Sequence, residues 1–208
     1  LKPLSPANLS ISVGYSDVKS RNYKVDRNDL IKYRAAINYN YTMRPLSIVP
    51  LKNWKSLNSP YLRIIKDLNF SPLPSQFTFR TDIDRYYNEI KLRNVYEDDY
   101  KIETTVNKDF TWNRFYSLQW QLTRSIRMDF SATNVARIDE PEGTYDLFRE
   151  GDNKHWKDSV WSNMLNGGRN VRYNHQLNAT YTLPINKIPV FNWLSGSVSY
   201  NGKFSWDR

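Results

Sequence analysis

The segment "RTDIDRYYNE", residues 80–89, places Asp82, Asp84 and Glu89 close together in the sequence. Residues two apart on a strand share a face, so Asp82 and Asp84 could form a carboxylate pair for acid–base chemistry. They could also supply the oxygen ligands that Ca²⁺ prefers. Arg80 and Arg85 lie beside them and favour a third interpretation, in which the carboxylates form ordinary ion pairs. We adopt that interpretation.

Other catalytic or metal-binding side chains are scarce. The chain has no cysteine, which excludes thiolate chemistry, and its only histidines are His155 and His175. His155 lies in a charged segment and His175 among tyrosines, and neither has a serine or cysteine nucleophile motif around it. We therefore predict that the protein is not an enzyme and has no catalytic residue, cofactor or metal.

The dominant signal around these residues is the alternation that is typical of β-strands. In "FTWNRFYSLQWQLTRSIRMDF", residues 110–130, large apolar side chains alternate with small polar ones. The same period recurs along the chain and predicts an all-β fold of about seven antiparallel up-and-down strands. The predicted strands are residues 9–15, 31–43, 77–92, 104–122, 126–138, 171–183 and 194–206.

The pattern also predicts the shape of one hairpin. A tight loop at 123–125 would place Leu118 opposite Phe130 and Trp120 opposite Met128, which brings all four onto one face. Within this hairpin the parity reverses at residues 114–115, where an arginine occupies the apolar side and a phenylalanine the polar side. Either a β-bulge or an arginine that reaches toward a membrane surface explains the reversal.

The connections between strands differ in length. Residues 17–29 and 94–101 are predicted as charged loops, and "PINKIP" as a turn. Residues 45–76 are rich in proline and contain a short predicted helix that begins at Ser59 and Pro60. Residues 139–170 form a long excursion with a predicted helix near 152–165, ended by a pair of glycines.

Composition and strand length favour a membrane wall over a soluble core. The chain is 39% hydrophobic with a mean hydropathy of −0.72, carries a net charge of +9 and has no apolar run long enough for a transmembrane helix. Several ribbons equal or exceed the ~9–11 residues that cross a bilayer at a tilt, whereas soluble strands average ~5–6. The chain starts without an initiator methionine or signal peptide and is expected to be an internal piece of a longer protein.

An open sheet edge in lipid leaves backbone groups without partners, and bacterial barrels normally have an even number of strands. The chain is therefore expected to form one segment, residues 1–208, that is an arc of a transmembrane barrel wall. Residues 45–76 would be a periplasmic connection and residues 139–170 an extracellular loop.

The two parities predict two environments. The predicted lipid-facing residues are Tyr33, Ile37, Tyr39, Trp112, Tyr116, Leu118, Trp120, Leu122, Met128, Phe130, Leu177, Tyr181, Val198 and Tyr200. The predicted lumen-facing residues are Asn38, Asn40, Asn113, Gln119, Gln121, Arg127, Asp129, Gln176 and Asn178.

Long stretches of the chain resemble a known family. "PLKNWK" followed by "IIKDLNFSPLPSQFTFRTDIDRYYNEIKLRN" is similar to the SprA/Sov family, the giant outer-membrane translocon of the type 9 secretion system in Bacteroidetes. "FTWNRFYSLQWQLTRSIRMDFSATNVARIDEPEG" and "NGGRNVRYNHQLNATYTLPINKIPVFNWL" resemble it as well. Together these blocks span roughly residues 45 to 200.

The resemblance implies a very large barrel of about 36 strands, the largest size known, which exports folded cargo. Its implied partners are the remainder of the same barrel, a PorV-type barrel at a lateral opening, a plug protein, cargo with a C-terminal signal domain, and outer-membrane lipid. The implied location is the cell outer membrane.

Three other functions remain open from the residues. The chain could belong to a different outer-membrane barrel, such as a nutrient transporter or an assembly-machinery pore. It could be a soluble all-β binding domain with long twisted strands. Aromatic and basic residues in "YKVDRNDLIKYR" could stack nucleic-acid bases, but the interspersed acids and the lack of an RNP-like motif argue against that.

Overall fold

A computed structural model describes residues 5–43, 46–51, 63–94, 102–143 and 150–208. These residues form a seven-stranded antiparallel sheet in the order β1-β2-β3-β4-β5-β6-β7, so each strand pairs with the next one along the chain. The prediction of an all-β, up-and-down fold is confirmed. The strands are β1 Leu9–Ser20, β2 Val25–Thr42, β3 Gln76–Leu92, β4 Thr105–Gln121, β5 Ile126–Arg137, β6 Arg169–Leu183 and β7 Gly196–Asp207.

The connections alternate between two ends of the sheet. At the end that we call the hairpin end lie the described residues of 43–75, together with 122–125 and 184–195. At the opposite end, which we call the excursion end, lie residues 21–24 and the described residues of 93–104 and 138–168. Within the described ranges, β1 and β7 are the outer strands and do not pair with each other, so the sheet is open.

The prediction of a charged loop at 17–29 is wrong, because most of these residues continue β1 and β2. Only residues 21–24 connect the two strands, and the Asn22 side chain accepts hydrogen bonds from the backbone N–H groups of Lys24 and Val25. The charges are tolerated in the strands because neighbours supply opposite charge. Arg27 in β2 pairs with Glu89 in β3, for example.

The hairpin between β4 and β5 has the predicted register. Leu118 lies opposite Phe130 and Trp120 opposite Met128, and the Thr123 hydroxyl accepts the backbone N–H of residues 125 and 126. Of the two explanations for the parity reversal at 114–115, the β-bulge is wrong, since β4 pairs without interruption on both sides there. A register shift occurs instead between residues 135 and 136 of β5, opposite β6.

Two helices lie in the longer connections. Helix α1, Arg63–Lys66, is the described part of the helix predicted between β2 and β3, and its predicted start at residues 59–60 lies outside the described residues. Helix α2, Glu150–Leu165, confirms the helix predicted in the 139–170 excursion. Gly167 and Gly168 end it with φ of 81° and 72°, and Gly168 N–H donates to the Asn163 carbonyl. Neither helix, within the described residues, has the length and hydropathy to span a membrane.

The core is small and lies where α2 packs on the sheet. Phe110 of β4, Ile138 just after β5 and Val160 of α2 form a buried cluster, which Trp156 and Ile83 flank. Away from α2, most of the large apolar side chains on the strands are only partly buried or exposed. The sheet is therefore a single layer over much of its area, and both of its faces are accessible.

Candidate functional site

The sheet has one apolar face that continues across all of its strands. The register places Tyr39, Phe79 and Tyr116 in one cross-strand row. Rings within such rows touch: Phe79 and Tyr116 have centroids 5.1 Å apart, and His175 stacks on Phe204 at 5.3 Å. We call this surface the apolar face.

The strand residues predicted to face lipid all lie on the apolar face. Leu122, one residue beyond β4, accepts the Ser71 N–H through its carbonyl at 2.8 Å. Contact with lipid stays a prediction, because the register shows only that these residues share a face. The strand residues concerned are Tyr33, Ile37, Tyr39, Trp112, Tyr116, Leu118, Trp120, Met128, Phe130, Leu177, Tyr181, Val198 and Tyr200.

The opposite surface, which we call the polar face, carries amides, hydroxyls and ion pairs. Thr78 donates to the Asn40 side chain, and Gln176 donates to the Asn178 side chain, each at 3.1 Å. Every residue predicted to face a lumen lies on this face, and contact with a lumen likewise stays a prediction. These residues are Asn38, Asn40, Asn113, Gln119, Gln121, Arg127, Asp129, Gln176 and Asn178.

The carboxylates of β3 form ion pairs, as the sequence favoured. Asp82 pairs with Arg80 at 2.8 Å, and Asp84 pairs with Arg34 of β2. Glu89 lies on the other face of β3, away from both aspartates. In the described parts of the chain, no group of three or more histidine and carboxylate side chains is arranged to hold a metal ion.

The apolar face changes character along its length. In its hairpin half, the described strands carry no charged residue on this face. In its excursion half, Arg85, Lys108 and Arg114 lie on the same face. The two halves therefore suit different surroundings. The hairpin half suits a uniformly apolar one, and the excursion half needs one with partners for its charged side chains.

The described residues of the excursion, 138–143 and 150–168, contact these charged side chains. Glu140 forms an ion pair with Arg85 in which both side chains are nearly inaccessible, at 3% and 8% exposure. The Arg85 guanidinium also lies 5.0 Å from the ring centre of Trp156 on α2. Lys108 donates to the Pro141 carbonyl at 2.8 Å. This cluster was not predicted from the sequence, because no contact between the excursion and a face of the sheet was expected.

Arg114 resolves the parity reversal of β4. Its side chain stays on the apolar face, donates to the Gly167 carbonyl at 2.8 Å and stacks 4.6 Å from the Trp112 ring centre. Phe115 remains on the polar face, beneath the guanidinium of Arg80. Arg114 therefore anchors the C-terminal end of α2 to the sheet.

A second contact fixes the excursion where it leaves and re-enters the sheet. Arg169, the first residue of β6, donates two hydrogen bonds to the carboxylate of Asp139, at 2.8 and 2.9 Å. These hydrogen bonds hold the pKa of Asp139 below its usual range, against a smaller opposing effect of burial.

The connections at the hairpin end also contact one another. The Trp120 indole donates to the Ser71 carbonyl at 2.9 Å, and the buried Asn69 side chain accepts the backbone N–H of Arg124. Lys187 pairs with Asp67 at 3.0 Å, which ties the β6–β7 connection to the β2–β3 connection. The described residues 67–71 of the β2–β3 connection thus contact the β4–β5 hairpin and the β6–β7 connection.

The outer edge of β1 borders an apolar groove. All twelve residues of β1 are exposed. The groove has a volume of about 810 Å³ and lies between α2 and the apolar face of β1 and β2, where Val13, Tyr15 and Tyr33 form one wall and Trp161 the other.

Comparisons with known proteins add no name to this architecture. The sequence matches no model of a protein family, and no curated protein matches it.

Proposed function

We propose that this chain is a wall segment of a large outer-membrane pore, and that the pore exports folded proteins as the SprA/Sov translocon does. The observation that carries the membrane part is the two-faced, largely single-layered sheet, whose hairpin half is apolar on one side and polar on the other in all seven strands. A wall between hydrocarbon and water needs this division of faces. The export function rests on the sequence resemblance alone.

Strand lengths support the proposal. The outer strands β1 and β7 have 12 residues each. At ~3.3 Å per residue and a tilt of ~40° this length gives roughly 30 Å of height, which covers an apolar band ~25 Å tall. β3 and β4 have 17 residues each and extend beyond such a band. Relative to β1 their extra length lies mostly at the hairpin end, and relative to β7 it lies at the excursion end, because the strands are staggered along the sheet.

Strand parity supports an arc that other strands complete. In an up-and-down sheet β1 and β7 run in the same direction, because both are odd-numbered. Direct pairing of the two would be parallel, whereas outer-membrane barrels are antiparallel throughout. The remainder of the wall must therefore supply an odd number of strands.

The alternatives fit less well. A soluble domain would leave the broad apolar face of the hairpin half in water, and such large apolar patches are rare on soluble proteins. The polar face bears balanced ion pairs and no long basic stripe, which argues against nucleic acid. A nutrient transporter would have the same kind of two-faced wall. It differs from a secretion pore in what passes through it, a nutrient instead of a folded protein.

The membrane part can be tested with single cysteines, since the natural chain has none. Tyr200 and Asn201 are neighbours on opposite faces of β7, and both are exposed. In the full-length protein in native membranes, a spin label at Tyr200→Cys should be relaxed by oxygen, which partitions into lipid. A label at Asn201→Cys should be relaxed by a water-soluble nickel complex. Equal access of the nickel complex at both positions would contradict a lipid-facing apolar side.

The export part needs a different readout. The double variant Gln176→Leu with Asn178→Leu replaces two amides on the polar face of β6 with apolar side chains. We expect reduced secretion of cargo with a C-terminal signal domain, while the abundance of the pore stays normal. Ala179→Leu, on the apolar face of the same strand, is the matched control and should leave secretion unchanged. Unchanged export in the double variant, or loss of nutrient uptake instead, would contradict a secretion pore.

A further inference from the structure

The edge of β1 is built to be paired. In antiparallel sheets, about half of the backbone N–H and C=O groups of an outer strand point away from its partner. Natural edges are usually protected by proline, bulges or inward charges. From Leu9 to Ser16, β1 has no proline, no charged residue and an uninterrupted register with β2. A further strand would extend the β1–β2 interface without any change in it.

The groove beside this edge would receive side chains of such a strand. An added strand lies ~4.8 Å from β1, and directly opposed side chains approach to about 5 Å. Residues opposite Val13 and Tyr15 on the apolar face would therefore lie next to Trp161. All three are now exposed, at 80%, 60% and 62%. Pairing of β1 would bury backbone and side chains together.

The charged residues that line the groove indicate which kind of molecule it can bind. Arg85 and Arg34 line it but are already paired with Glu140 and Asp84. Lys157 and Asp158, of opposite charge, also line it. This balance offers little to an anionic lipid headgroup, while the free backbone groups of β1 require a peptide. The geometry therefore favours an extended chain over a lipid.

We propose that β1 and the groove under α2 form a docking site for one antiparallel β-strand with large apolar side chains opposite Val13 and Tyr15. Trp161 closes over those side chains, so α2 covers the seam between β1 and its neighbour. This inference deepens the proposed wall function and rests on it for the identity of the occupant, a further strand of the same wall. In the described part of the chain, α2 borders a groove with β1 and β2 but not with β7, so the two seams differ.

The test uses the 208-residue chain, in which no described strand occupies the outer edge of β1, in detergent micelles with Val13→Cys and a synthetic peptide of alternating tyrosine and threonine. A cysteine replaces the central tyrosine of this peptide. We expect a disulfide between peptide and chain, and a yield about tenfold lower when Trp161→Ala is added, since buried tryptophans commonly dominate such contacts. A peptide with its cysteine at a threonine position should react poorly. Val198→Cys on β7 is the matched control, whose yield should not respond to Trp161→Ala.

Several outcomes would overturn the proposal. Equal yields with and without Trp161 would remove α2 from the site. A chain-to-chain disulfide between two copies as the main product would assign the edge to self-association. Yields that fall steeply with added phospholipid would assign the groove to an acyl chain. None of these readouts depends on export or on the spin-label test, so the docking site and the proposed function can fail separately.

Discussion

At the scale of residues, the ion pair of Arg85 and Glu140 is the most buried among those described. Removing one partner takes away the main compensation of a buried charge, which typically costs about 3–5 kcal/mol. We therefore expect Arg85→Met alone to lower the free energy of unfolding by roughly 3 kcal/mol. Denaturant titration in micelles, followed by circular dichroism, measures it.

The double variant Arg85→Met with Glu140→Leu is the control for this prediction. It removes both charges and should recover much of the lost stability, because no charge is then stranded. A double variant as unstable as the sum of the two single variants would indicate that the charges act independently.

The contact between Asp139 and Arg169 predicts a pH dependence at the excursion end. A carboxyl group whose pKa is lowered by folding contributes stability above its unfolded pKa of about 3.9 and loses it as the pH falls through the folded value. Arg169→Gln should raise the pKa of Asp139 toward its usual range, measured by NMR titration of the carboxyl carbon. Arg172→Gln, which breaks the separate pair with Asp207, should leave it unchanged.

Which face a residue occupies was predictable from the sequence, whereas its partners were not. Parity alone placed Trp112 and Tyr116 together on one side, since the strand period is two. The pairing of Arg85 with Glu140 depends on the excursion folding back over the apolar face, and the two residues are 55 positions apart. The alternation of residues within one strand carries no information about such a contact.

At the scale of elements, the end of α2 sets how the excursion returns to the sheet. Gly168 has φ of +72°, and a Cβ there would lie 3.1 Å from the Cβ of Ala136. Gly168→Ala should therefore destabilise the junction by more than ~1 kcal/mol. Hydrogen exchange should speed up in α2 while the β3–β4 ladder stays protected.

Gly151 provides the matched control for that junction. It lies in the first turn of α2, and a Cβ there meets nothing within 4 Å. Gly151→Ala should leave α2 as protected or more so, because alanine favours a helix more than glycine does. Faster exchange in α2 for both variants would indicate a general sensitivity of the helix and not strain at Gly168.

The strand centres were easier to predict than their ends. Hydrophobic alternation identified the middle of β2, but its first residues read as a loop because they are charged. Cross-strand partners such as Glu89 stabilise these residues, and such partners are invisible in a single segment. The register of the β4–β5 hairpin was predicted because it depends on a tight turn and local parity.

At the scale of the whole molecule, the alternation predicted two faces and an open arc, and the described sheet is open. It did not predict that α2 packs on part of the apolar face, around Phe110 in the excursion half. The helix lies within a charged segment with no amphipathic period, and its contacts come from Trp156 and Val160 meeting a surface formed by distant strands. The extent of the region that could contact lipid therefore follows from tertiary structure.

The open arc leads to a prediction about the isolated chain. With β1 and β7 running in the same direction, antiparallel closure within one copy is impossible. The purified 208-residue chain should therefore give no stable conductance steps in planar bilayers. Its β1 and β7 amides should exchange faster with solvent than those of β3 and β4, which have hydrogen-bonded neighbours on both sides. Stable conductance steps from a monomeric species would contradict the arc. Steps from a species of twice the mass would mean that two copies close together, joined β1 to β1 and β7 to β7 in antiparallel fashion, and the requirement for further strands would then fail.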